Sequence, residues 1–191
     1  MNWPRLVSAL LSPPPVWALM ALPVSLRDAG SLSQGLVSAG IYILFVSLLP
    51  MLYVVAMVRR GHITSLDMPL REQRRRPFLV SIACTTIAWW LLRSTGAPGA
   101  MPFLALCSLA LIAAIALITL AWQVSMHMMS MTGVLVAAWA FFGPVWALAL
   151  SPLWLLVAAA RLRLGRHNLA QLLGGALVGV LVPLLLFALQ G

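Results

Sequence analysis

The sequence predicts an all-α polytopic membrane protein, a bundle of six or seven transmembrane helices forming one domain over residues 1–191. Three observations carry this expectation. Apolar residues make up 63% of the 191 positions and charged residues only 8%, whereas a soluble domain is near half apolar and a quarter charged. The apolar residues fall into runs close to the roughly 20 residues that a helix needs to cross a bilayer. No alternating pattern of strand type competes, and in lipid an open sheet would leave its backbone groups without partners.

The runs follow in order. The first, 14–26, is short and ends at Arg27-Asp28. The second, 36–58, is long and closes on Arg59-Arg60, after which His62 to Pro77 is the most charged stretch of the chain. The third run, 78–93, ends at Arg93 before the turn Gly96-Ala97-Pro98-Gly99, and the fourth, 102–122, is unbroken. Residues 124–160 are too many for one helix across an ordinary bilayer and just enough for two short ones. Gly143-Pro144 and Ser151-Pro152 are the available breaks, and the expected helices are 127–143 and 145–161, joined by a tight turn. A polar linker, Arg161 to Asn168, leads to a last span at 170–189.

Twelve arginines, with no lysine, face only Asp28, Asp67 and Glu72, giving a net charge of +9. The positive charge sits in short clusters between apolar runs. That pattern suits cytoplasmic loops, anionic headgroups or a phosphate site, and no nucleic-acid partner is expected. Cys84 and Cys107 lie inside apolar segments without a CxxC or Cys/His pattern, so neither a metal nor another cofactor is expected. Arg5 precedes an apolar run that Pro13, Pro14 and Pro15 interrupt, with no small-residue cleavage pattern, so no removed signal peptide is expected.

Polar residues are costly in a membrane, and here they group in three places: Asp67 to Pro77, Gln123 to His127, and Ala160 to Gln171. Counting spans between them brings all three to one membrane face, provided that 124–160 is two helices. Several arginines, two histidines and a serine hydroxyl then describe an oxyanion site. Guanidinium groups bind phosphate through forked, charge-assisted hydrogen bonds. One histidine can attack phosphorus while another protonates the leaving alkoxide. With no carboxylate cluster for a metal, metal-free phosphoryl transfer is the expected chemistry.

Over residues 62–180 these clusters resemble the type-2 phosphatidate phosphatase superfamily, the integral-membrane lipid phosphate phosphatases. Arg161 and His167 have the spacing of its S-R-x5-H-x3-D motif, and Gly174 and Gly179 continue its glycine-bearing last helix. Ser125 and His127 are similar to its P-S-G-H motif, and Arg76-Pro77 ends like its K-x6-R-P motif. The resemblance implies that His167 is the nucleophile, forming a phosphohistidine, and that His127 is the acid for the leaving lipid alcohol. It also implies that Arg161, Ser125 and arginines of the 71–76 run, Arg71, Arg75 and Arg76, hold the phosphate. The chain departs from these motifs at Pro69, Val124, Met126 and Ala160. Above all, Gln171 stands where the family has the aspartate that orients the nucleophile. An amide can accept a hydrogen bond from the imidazole but cannot stabilise an imidazolium by charge.

The implied partner is a membrane lipid phosphate, with a prenyl or acyl tail delivered by the bilayer; a homo-oligomer stays open. Arg5, Arg59, Arg60, Arg71, Arg74, Arg75, Arg76, Arg161, Arg163 and Arg166 share the motif face, with Arg27 and Arg93 opposite. This bias puts the site on the cytoplasmic face of a bacterial inner membrane. Plainer readings stand beside this one. The 71–76 run is also a positive-inside loop, Ser125 a helix cap, and His62 and Asp67 solvated loop residues. The methionines read as adaptable packing, and Gly174, Gly175 and Gly179 as sites of close helix approach. Other functions are a weakened relative that binds lipid phosphate or scaffolds a partner, a transferase, and a haem-binding or transport bundle with His127 and His167 as ligands or relays.

Overall fold

Proline and glycine divide the chain into helices, and a computed structural model describes residues 2–190. Helix α1 (Trp3–Leu10) carries Pro4 in its first turn, and α2 (Pro13–Arg27) opens on three prolines after a bend of 48°. Proline suits the first helical turn because its missing N–H has no partner there anyway. Ser31 caps α3 (Leu32–Tyr42) by accepting from the Gln34 amide. That helix runs on through a π-helical turn (Ile43–Leu48) into α4 (Leu49–Arg59).

A loop and a 3-10 turn (Arg71–Arg74) lead into α5 (Arg75–Ser94), followed by α6 (Ala100–Ala121), α7 (Met126–Phe142), α8 (Pro144–Arg163) and α9 (Leu169–Gln190). Among the described residues no strand occurs.

The 124–160 region is two helices broken at Gly143, whose φ of +94° is open to glycine and strained for other residues. Ser151-Pro152 makes no break; α8 runs through Pro152, as α2 runs through Pro23 and α9 through Pro183. Neighbouring helices tolerate the lost backbone bond in such a setting. The sequence expectation also began its first span at 14 and missed α1, because eight residues are too few for a span signal.

Five helical stretches are long and apolar enough to cross a membrane: Leu32–Arg59, Arg71–Ser94, Ala100–Ala121, Pro144–Arg163 and Leu169–Leu189. Counting the bent α1–α2 pair as one span makes six. Helix α7, with 17 residues, is about 25 Å long at 1.5 Å per residue. These are the helices of an integral membrane protein. Their outer faces expose large apolar side chains, such as Val145, Leu148, Leu155 and Leu185, which a bilayer covers and water would not.

Helix α7 is the core. Met128, Met129, Ser130, Met131, Thr132, Gly133 and Val134 are all buried among α2, α8 and α9. Glycines let α9 approach its backbone closely: a Cβ at Gly175 would strike the Ser125 carbonyl oxygen, and one at Gly179 the Met129 carbonyl oxygen. Small residues at a helix crossing permit this contact in the absence of a hydrophobic drive between membrane helices. Internal hydroxyls add cross-links, with Trp154 Nε1 donating to Thr132 Oγ1 at 2.7 Å and Tyr42 Oη 2.6 Å from Ser108 Oγ.

A methyl group therefore tests the α7–α9 contact. Gly175→Ala lowers stability by about 1–3 kcal/mol, because the backbone must shift to admit it. Gly40→Ala, where a Cβ meets nothing within 4 Å, is neutral or stabilising by up to about 1 kcal/mol. Thermal unfolding of the detergent-purified protein, followed by tryptophan fluorescence, separates the two.

Candidate functional site

The end of the bundle where α7 begins and α8 finishes holds a cavity of about 590 Å³. Segments distant in sequence line it. Ser8 comes from α1, Ser65 to Met68 from the loop after α4, and Arg74 from the 3-10 turn. His127 comes from the first turn of α7, Arg161 from the last turn of α8, and Arg166 and His167 from the α8–α9 connection. The antiparallel α7–α8 pair is what returns the chain to this end.

Arg161 is the centre of the polar network, with 2% of its side chain exposed. Its Nη1 donates to Ser8 Oγ at 2.7 Å and to Asp67 Oδ1 at 2.8 Å, while its Nε is buried with no acceptor among the described residues. The other Asp67 oxygen lies 3.5 Å from Arg166 Nη2. Burial alone would raise the Asp67 carboxyl. The hydrogen bond and charge of Arg161, with Arg166 behind it, outweigh this and hold it below the usual carboxylate range. Arg74 is buried as well: Nε donates to the Met68 carbonyl at 2.9 Å, and Nη1 reaches the Val124 carbonyl at 3.5 Å. Met68 adopts a φ of +44° to present that carbonyl, a strained conformation for a residue with a side chain.

The two histidines enter from different helices. His127 Nε2 lies 2.9 Å from the Ser8 carbonyl oxygen, so this nitrogen carries the proton and donates. His167 Nδ1 lies 3.3 Å from Gln171 Oε1 and donates to it, which leaves Nε2 with the lone pair. Burial, and then the charges of Arg161 and Arg74, push the His167 pKa down to about 4, so the imidazole is neutral at pH 7. Gln171 also opens α9: its Oε1 accepts from the Asn168 amide at 3.1 Å while Asn168 Oδ1 accepts from the Gln171 amide at 2.9 Å. This reciprocal cap fixes the glutamine that orients the histidine.

Of the residues singled out from sequence, His127, His167 and Arg161 line the cavity, and Gln171 holds His167 from behind. Ser125 does not line it; fully buried, it caps α7 by accepting from the Met128 amide, and its own amide donates to the Gln171 carbonyl. Arg71 turns away to cap α6, donating to the carbonyls of Leu120 and Ala121, and Arg75 and Arg76 are exposed at the start of α5. Of the run, only Arg74 is buried and lines the cavity.

Sequence reasoning missed Arg74 as the inward residue, Ser8, Arg166 and Asp67. Asp67 left a signal: it is one of three acids, set in the most basic stretch of the chain, and an acid there is a counter-ion candidate. Ser8 left none.

Inward and outward arginines should differ in stability. Arg74→Ala strips two buried carbonyls of their donor and costs about 1–3 kcal/mol. Arg75→Ala stays within about 0.5 kcal/mol of wild type, both read from thermal unfolding in detergent.

No family model, curated protein or solved structure matches the chain.

Proposed function

We propose that the chain is a metal-independent membrane lipid phosphatase, which hydrolyses a phosphomonoester or diphosphate of a prenyl or glycero-lipid through a phosphohistidine. One observation carries this reading: the buried Arg161 keeps an unpartnered Nε beside Arg74 and two histidines in a cavity at one end of the helices. Two buried guanidinium groups lining one cavity suit an oxyanion, which they bind through charge-assisted hydrogen bonds. The resemblance of the 160–171 segment to the type-2 phosphatidate phosphatases supports the same chemistry.

Arg161 and Arg74 hold the phosphate oxygens. His167 Nε2 attacks phosphorus, and the bond from phosphorus to the lipid oxygen breaks as His127, acting as the imidazolium, gives that oxygen a proton and becomes neutral. Water then attacks the phosphohistidine, returning its proton to His127, and the P–N bond breaks to release phosphate. Gln171 holds His167 in the required tautomer. The amide cannot offset the positive charge that grows on the imidazole, so turnover is slower than with a carboxylate at this position. The exposed Arg71, Arg75 and Arg76 meet anionic headgroups at the membrane surface.

We read seven spans, with α1–α2 as the first and α7 as a short one, and a lipid that enters sideways from the bilayer. The arginines gathered at the cavity end support our reading of that end as cytoplasmic, in a bacterial inner membrane.

Phosphate release from phosphatidate, phosphatidylglycerophosphate and polyprenyl phosphates or diphosphates tests the reading. Wild type releases phosphate from at least one class, His167→Ala abolishes release, and Gln171→Asp speeds it by about tenfold or more. Silence from wild type and Gln171→Asp alike contradicts the reading.

The pH profile is a separate check. His167 attacks as the free base, and its pKa lies at about 4 rather than 6.5. The acid limb of kcat/KM therefore falls as pH drops through about 4; a limb at 6.5 contradicts the burial of this group.

A further inference from the structure

Of the three carboxylates, Asp28 and Glu72 sit beside Arg27 and Arg71 on the exposed surface. The third, Asp67, is inside the arginine cavity, on the guanidinium assigned above to phosphate. A buried guanidinium without counter-charge is strongly unfavourable, so the Asp67–Arg161 pair compensates the cation. The fit is partial. The carboxylate meets only Nη1 of Arg161, and Nε has no acceptor among the described residues, so the pair does not satisfy the guanidinium.

The pair is also asymmetric in freedom. Arg161 is 2% exposed and sits in a helix; Asp67 is 29% exposed and sits in a loop. Its second oxygen already lies 3.5 Å from Arg166 Nη2, which is exposed. A shift of the carboxylate from Arg161 to Arg166 exchanges one guanidinium for another, so Asp67 keeps a counter-charge throughout.

We infer that Asp67 is a displaceable counter-anion: the phosphate group takes its place on Arg161, and the carboxylate moves over to Arg166. The inference rests on the phosphate reading and adds how the site exchanges its ligand. Two anions beside one guanidinium repel, so Asp67 weakens the hold on free phosphate and speeds its release. Binding a product less tightly than the cations alone allow favours turnover.

Inorganic phosphate is the probe, titrated against the thermal midpoint of the detergent-purified full chain. Wild type is stabilised weakly and saturably. Asp67→Asn binds phosphate at least about tenfold more tightly, as expected for removing a like charge in direct contact with the site. In phosphate-free buffer it is less stable than wild type, and phosphate restores the difference. Equal or weaker phosphate binding by Asp67→Asn, with wild type still stabilised, overturns this inference and leaves the phosphate site standing. No stabilisation of either protein overturns the phosphate reading and this inference with it. Asp67→Ser provides the same comparison if Asp67→Asn does not fold without phosphate. Neutral variants that stay unfolded at every phosphate concentration overturn the displacement, because the carboxylate is then a fixed structural partner.

Discussion

A guanidinium buried at the end of a membrane helix needs a counter-charge, and the arrangement of the cavity follows from that need. Removing such a cation from water costs several kcal/mol unless it is paired and hydrogen-bonded. Arg161 in the last turn of α8 meets it with two oxygens from elsewhere in the chain, Ser8 Oγ and Asp67 Oδ1. These bonds dock α1 against α8 and draw the loop after α4 over the bundle end. The same loop accepts a bond from Arg74 through the Met68 carbonyl, at the cost of a positive φ. Two buried cations thus organise three otherwise separate segments.

Beneath this layer the scaffold is stiff where the chemistry needs it. The helix bearing His127 and the helix following His167 touch backbone to backbone at Gly175 and Gly179. The Ser125 amide donates to the Gln171 carbonyl at 3.1 Å, so the cap of α7 is bonded to the first turn of α9. The residues that set the two imidazoles are therefore coupled through main chain rather than through flexible side chains, the usual requirement for a site held to fractions of an ångström.

Much of this was legible in the sequence, and the boundary of legibility is physical. Long apolar runs announced the helices because the bilayer sets their length, and Gly143-Pro144 announced the break because few residues other than glycine take the turn. The return of the chain to one face followed from that break, so Arg161, His127 and His167 were within reach of spacing and parity alone. Direction within a run of equivalent residues was not. Arg74, Arg75 and Arg76 are chemically identical, and the 3-10 turn that aims Arg74 inward has no signature in composition. Ser8 lay outside every apolar run long enough to count. Ser125 was read both as a phosphate ligand and as a cap; the structure has it capping α7, away from the cavity.

The central claim is that His167 attacks phosphorus while Arg161 holds the phosphate, and a trapped intermediate tests it most directly. The purified protein would be mixed with a lipid labelled in its phosphate, quenched within one turnover, and digested for mass spectrometry under alkaline conditions that preserve phosphoramidates. The account predicts label on His167, lost on acid treatment and absent from His167→Ala. Label on another residue, or turnover that never labels the protein, would contradict it.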